Sequence, residues 1–168
     1  MELETNMLYL PCILIIGIGA TATTDLWAIV RRFLLGVPAP DYAMVGRWLA
    51  HMPAGRFRHE RIAAARAAPG ERLIGWVAHY LIGIAFAATL IGVTGPARIL
   101  RPELIPALCV GIATVAAPLL VMQPGMGAGI AASRTPQPVI TVMQSLANHA
   151  VFGVGLYLGG LVANALLT

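Results

Sequence analysis

Three ionisable side chains sit inside otherwise apolar runs: Asp25, His79 and His149. A carboxylate and two imidazoles are a donor set suited to a divalent transition metal. They are also the parts of a proton path through a membrane, and of an interhelical hydrogen bond in which Asp25 fixes one histidine and does nothing more. Counted along a helix from the nearest boundary, at about 1.5 Å per residue, Asp25 lies about 9 Å deep, His79 about 10 Å and His149 about 12 Å. Met122 and Gln123 close the third apolar run near the same depth. A charge at that depth costs a few kcal/mol unless it is paired. The spacing therefore predicts a layer of Asp25, His79, His149, Gln123 and Met122, with at least one histidine within hydrogen-bond reach of Asp25, directly or through one water. A divalent metal or haem is the cofactor such a layer would suit, and a proton or small solute is what it would otherwise pass. His51 and His59 lie in a loop and are expected to be exposed.

Long apolar helices must carry these groups. The chain has 168 residues, of which 58% are hydrophobic and 11% charged. Soluble globular chains carry about 25% charged residues, so this one lacks the polar surface for solubility, and it lacks the charge for nucleic-acid binding or disorder. Stretches 5–24, 73–97, 104–133 and 135–168 contain no Arg, Lys, Asp or Glu. A spanning helix needs about 20 mostly apolar residues. The expected fold is thus all-α, a single polytopic membrane domain over 1–168 with four transmembrane helices near 7–30, 73–94, 105–122 and 141–166. The first must run past Asp25, because Leu26–Val30 is apolar again. Glu2 and Glu4 replace the basic start of a secretion signal, so the first run is expected to stay. Cys12 and Cys109 both fall in apolar runs and read as small buried hydrophobes.

The arginines set an orientation. All eleven basic residues are arginine, and eight of them (31, 32, 47, 56, 58, 61, 66 and 72) lie at or within the connection between the first two helices. Arg134 falls in the third connection, and Arg98 and Arg101 in the second. By the positive-inside rule the loop at about 36–72 and Arg134 face the cytoplasm, leaving both termini outside. Arg56, Arg58 and Arg134 are candidate contacts to phosphate or anionic-lipid headgroups; an ordinary solvated positive-inside loop would carry the same residues.

The third connection, Val121-Met122-Gln123-Pro124-Gly125-Met126-Gly127 through Thr135-Pro136, is uncharged until Arg134 yet too rich in Gly and Pro for a plain helix. A broken or re-entrant segment near 123–136 is expected, since non-helical backbone at membrane depth must be buried in protein or line a wet cavity. Small residues recur at helix-packing spacing: Gly75, His79 and Gly83 on one face, His149, Gly153 and Tyr157 on another, and Gly155 with Gly159. The repeated His-x-x-x-Gly matches what a duplicated hairpin would leave, and equally what frequent glycine in membrane helices leaves by chance.

Several motifs occur in order with fitting gaps: Thr24-Asp25-Leu26-Trp27, Val45-Gly46-Arg47-Trp48, Gly55-Arg56-Phe57-Arg58-His59, Pro69-Gly70-Glu71-Arg72-Leu73-Ile74-Gly75-Trp76, His79-Tyr80, Val121-Met122-Gln123-Pro124, Ala132-Ser133-Arg134-Thr135-Pro136, and His149 with Gly153-Val154-Gly155-Leu156-Tyr157. Together they resemble the bacterial membrane family catalogued as domain of unknown function 2938, over nearly the whole chain. The resemblance implies a small bacterial integral membrane protein and no particular activity.

The sequence holds no phosphate-binding Gly-rich loop with a following Lys, no Gly-x-Ser-x-Gly elbow and no His-Glu-x-x-His. Chemistry on lipid headgroups would have to use Arg56, Arg58 and Arg134 as clamps with His79 or His149 as base. The leading expectation is instead a protein of the cytoplasmic (inner) membrane that passes a small solute, ion or proton, or a subunit of a transporter. A membrane-bound metal or haem protein and a non-catalytic structural or regulatory partner are the alternatives. Its partners would be the bilayer, anionic lipids, and a second copy or another membrane subunit, with no nucleic acid.

Overall fold

The computed structural model describes residues 2–96, 99 and 101–167, with side chains for 9–96, 99 and 101–166. Arg98 and the side chains of Glu2 and Glu4, which entered the reading of orientation and of the N-terminus, lie outside the described residues. Helix α1 runs Glu2–Leu35, α2 Tyr42–His51, α3 Glu71–Thr94, α4 Leu104–Ala113, α5 Gln123–Met126 and α6 Pro138–Leu167. No strand occurs among the described residues.

Four helical segments are long and apolar enough to cross a membrane: Tyr9–Leu35, Glu71–Thr94, Leu104–Met126 and Pro138–Leu166. They are the four expected helices, each longer than expected. The first continues through Arg31 and Arg32 because Phe33-Leu34-Leu35 extends the apolar run, and all three of those side chains are exposed. The third passes Ala113 through a π-turn at Pro118–Met122, where the missing proline N–H breaks the regular hydrogen-bond ladder. Large exposed apolar side chains such as Phe33, Ile105 and Val139 recur along the spans. Water would not tolerate so much exposed apolar surface; lipid does.

The expected break at 123–136 is present. Gly127 ends α5 at φ 97°, a conformation an L-residue with a Cβ resists. Ala131 and Ala132 follow at φ 48° and 60°. The segment closes on itself through Ala128 N–H to the Gln123 carbonyl and Arg134 N–H to the Ala128 carbonyl, both 2.8 Å. The loop at 36–72 is more ordered than a solvated connection. Asp41 caps α2, its carboxylate accepting from Ala43 N–H at 3.0 Å, and short 3-10 turns follow at Met52–Ala54 and Ile62–Ala64.

The chain packs as two compact units. One comprises the chain up to Pro38, Tyr80–Thr114 and the chain from Asn148 on; the other comprises Ala39–His79 and Val115–Ala147. The first unit holds a buried core built on Ile16 and Ala20 of α1, Leu90 of α3, and Phe152 and Leu156 of α6. Its helices touch backbone to backbone. A Cβ on Gly159 would lie 2.9 Å from Ile16 Cα, one on Gly155 2.7 Å from Ala20 Cα, and one on Gly111 2.5 Å from Gly153 Cα. Gly153, Gly155 and Gly159 are glycines that the small-residue spacing singled out, and close approach is what membrane helices gain from them. In the second unit α2 lies on the first turns of α3 in the same manner: a Cβ on Gly46 would collide with the Glu71 carbonyl, and one on Gly75 with the Tyr42 carbonyl.

Candidate functional site

In the first unit the half-buried Asp25 carboxylate accepts a hydrogen bond from Tyr80 Oη, 3.0 Å away. Tyr80 directly follows His79 in the sequence. His149 is half-buried, with Nδ1 2.9 Å from Thr114 Oγ1 and 3.2 Å from the Gly111 carbonyl. Thr114 Oγ1 itself donates to the Gly111 carbonyl at 2.6 Å. A carbonyl can only accept, so these contacts place the ring proton of a neutral His149 on Nδ1 and leave Nε2 as the acceptor. Phe86 and Phe152 flank the ring, with centroids 6.5 and 6.4 Å away. Thr21, Thr23 and Thr24 turn their hydroxyls back onto carbonyls four residues earlier, which satisfies them locally at membrane depth.

The second unit gathers most of the remaining motif residues. His79 Nε2 lies 2.9 Å from Tyr42 Oη, and the two rings stack with centroids 4.1 Å apart. Arg47 is buried and grips Glu71 as a fork, Nε to Oε2 at 2.8 Å and Nη2 to Oε1 at 2.7 Å. Its Nη1 reaches the carbonyls of Ile62, Ala63 and Ala65 at 3.2–3.4 Å. One guanidinium thus ties α2, α3 and the intervening loop together, a geometry an ammonium cannot copy. The bond to Glu71 raises Arg47 above its ordinary value, so it stays charged. Trp48 Nε1 donates to the Phe57 carbonyl at 2.9 Å, and its indole covers Gly125, where a Cβ would lie 2.7 Å from the ring. His59 N–H donates to the Gly125 carbonyl at 2.9 Å. His51 Nδ1 and His59 Nε2 stand 2.9 Å apart. Both rings are half-buried, which corrects the expectation that they are exposed: α5 and the glycines after it pack onto that part of the loop. Gln123 is buried, and its Oε1 meets no donor; Met122 is half-buried beside it in sequence. Arg56, Arg58 and Arg134 are exposed.

Asp25 and His149 belong to the first unit, and His79, Gln123 and Met122 to the second. Among the described residues no group of three or more His, Cys, Asp and Glu is placed to hold a metal ion. His79 spends Nε2 on Tyr42, and His149 spends Nδ1 on Thr114 and Gly111. Sequence reasoning passed over Tyr42, Tyr80, Thr114 and the Arg47–Glu71 pair. Tyr80 and the Arg47–Glu71 pair stand inside motifs already singled out, so the signal was there; Tyr42 and Thr114 carry no charge and gave none.

Four long apolar helices, ionisable groups paired inside them and a buried arginine anchor define a polytopic membrane protein. The family model described as "Protein of unknown function (DUF2938)" matches residues 14–163, and the chain belongs to that family. No curated protein and no solved structure matches the chain.

Proposed function

We propose that the protein passes protons or a small polar solute across the cytoplasmic (inner) membrane, alone or as a transporter subunit. The observation that carries this reading is the Asp25 carboxyl inside the first span, held by Tyr80 Oη at 3.0 Å. An intramembrane carboxyl is expensive, and the usual return is an ion or proton pathway. A phenol donating to a carboxylate is one link of such a path, and His149, with Nε2 left as an acceptor, supplies a second titratable group in the same unit. In a liposome loaded with a pH-sensitive dye, the reconstituted protein should dissipate an imposed pH gradient faster than protein-free vesicles. Asp25→Asn and Tyr80→Phe should each slow that flux by about a hundredfold or more, the lower end of what a positioned proton-transfer group contributes. Flux that both variants retain in full, or no flux above the protein-free rate, refutes the reading.

The orientation proposed with it puts the 36–72 loop in the cytoplasm and both termini outside, from the arginine asymmetry. In a background with Cys12 and Cys109 replaced by Ala, a cysteine at Arg101 should be labelled by an impermeant reagent from outside and a cysteine at Ala54 should not. The reverse pattern inverts the topology.

A further inference from the structure

Arg31 is 5% exposed, and its Nε and Nη1 meet no acceptor. It lies within the last turns of the first span. One turn earlier on the same helix face, at i and i+4, Trp27 Nε1 is also buried without a partner. A third group joins them from α6. Ile16 faces Gly159 and Ala20 faces Gly155 across the antiparallel contact of α1 and α6. Carrying that register toward the end of α1 brings Trp27 opposite Asn148, whose Oδ1 is buried and meets no donor. Three N–H donors, two of them on one charged guanidinium, and one amide acceptor thus share one end of the first unit. A buried guanidinium left unmatched is among the most costly arrangements a protein can hold, and buried polar groups are normally satisfied. A phosphate meets the demand: its anionic oxygens accept from Arg31 Nε, Arg31 Nη1 and Trp27 Nε1, charge-assisted at the arginine. An O–H or N–H on the phosphate or on the group attached to it donates to Asn148 Oδ1.

We infer that Arg31, Trp27 and Asn148 form a phosphate-binding site at the end of the first span. The phosphate comes either from the headgroup of an anionic phospholipid or from solution. The site is distinct from the exposed Arg56, Arg58 and Arg134, and it stands whether or not Asp25 passes protons, because its test reads binding and not flux.

The test follows the thermal unfolding midpoint of the purified protein in neutral detergent micelles. One arm titrates phosphatidylglycerol against phosphatidylcholine; the other titrates inorganic phosphate against chloride at equal ionic strength. A saturable rise in the first arm alone assigns a lipid headgroup, and a rise in the second assigns free phosphate. Arg31→Gln should raise the half-saturating concentration by about tenfold or more, as expected for loss of a charged hydrogen bond. Trp27→Phe, which keeps the ring and removes the N–H, should raise it several-fold. Arg66→Gln, at an exposed loop arginine, should leave it unchanged. Should Arg31→Gln fail to fold, Trp27→Phe decides. No rise in either arm, or half-saturation that Arg31→Gln and Trp27→Phe leave unmoved, overturns the site.

Discussion

Adding one methyl group at Gly46 tests how the second unit is held together. An Ala Cβ there would overlap the Glu71 carbonyl oxygen and lie 2.6 Å from Gly75 N and 2.8 Å from Glu71 C, where ordinary contact begins at 3.4 Å. The atoms in the way are backbone, so no side chain can swing aside, and α2 must retreat by about 1 Å from α3 to restore ordinary contact. Overpacking of this kind costs about 1–3 kcal/mol. For a chain of this size each kcal/mol moves the unfolding midpoint by about 2–4 °C, so Gly46→Ala should lower it by about 2–12 °C. Gly75→Ala should do the same through the Tyr42 carbonyl. The double variant should lose less than the two single losses combined, because one retreat relieves both collisions. Gly92, on the same α3, is the control: a Cβ there meets nothing within 4 Å, and alanine is the better helix former by up to about 1 kcal/mol. Gly92→Ala should therefore hold or raise the midpoint. Thermal unfolding in neutral detergent, followed by circular dichroism, measures all four. Midpoints for Gly46→Ala and Gly75→Ala within 1 °C of the parent, or a fall at Gly92→Ala as large as theirs, would show that backbone contact does not set this packing.

Three other outcomes follow from single contacts. Tyr80→Phe removes a hydrogen bond to a carboxylate at membrane depth, so the unfolding midpoint should drop by an amount corresponding to about 1–3 kcal/mol; no drop would mean that Asp25 is satisfied without the phenol. Arg47→Lys keeps the charge but loses the fork to Glu71 and the reach to the carbonyls of Ile62, Ala63 and Ala65, so trypsin should cut at Arg61 and Arg66 faster than in the parent protein, and unchanged cleavage would refute the anchoring role. Replacing Arg56 and Arg58 together by Gln should weaken binding of the detergent-solubilised protein to phosphatidylglycerol vesicles at low salt, with the difference vanishing at high salt; a salt-independent result would remove electrostatics as the cause.

The spans were legible because bilayer thickness and backbone hydrogen bonding leave a chain this apolar few alternatives to long helices. Their ends were less so. A reading that stops α1 at Arg31-Arg32 treats an arginine as a boundary, whereas Arg31 folds into the protein interior and the apolar Phe33-Leu34-Leu35 carries the helix on. The break after Met126 was legible from Gly127 and Gly129, since a spanning helix has little reason to hold so many residues suited to positive φ. The hydroxyl partners at the candidate site were not legible. Depth counting ranks candidates by charge and gives no weight to neutral donors. Tyr80 for Asp25, Tyr42 for His79 and Thr114 for His149 are all hydroxyls, and a hydroxyl inside an apolar run leaves no mark in hydropathy or net charge. Arg47 and Glu71 show the converse. Twenty-four residues apart, they read separately as a loop cation and a helix-start anion, and their link appears only once α2 lies on α3.

These hydroxyl pairings bear on how the membrane groups act. A phenol that donates to a carboxylate, as Tyr80 does to Asp25, adds no fixed charge of its own. The same holds at His149, where Thr114 and the Gly111 carbonyl orient the ring on its Nδ1 side and leave Nε2 able to take a proton. Permanent charge in the chain is handled differently: Arg47 is neutralised by Glu71, and Arg31 is the buried arginine whose Nε and Nη1 find no acceptor. The proton groups proposed at Asp25 and the phosphate site inferred at Arg31 are separate proposals. A variant at Asp25 should therefore alter proton flux without changing phosphate-dependent stabilisation, and a variant at Arg31 should do the opposite. Loss of both properties in either variant would mean that the two sites are one.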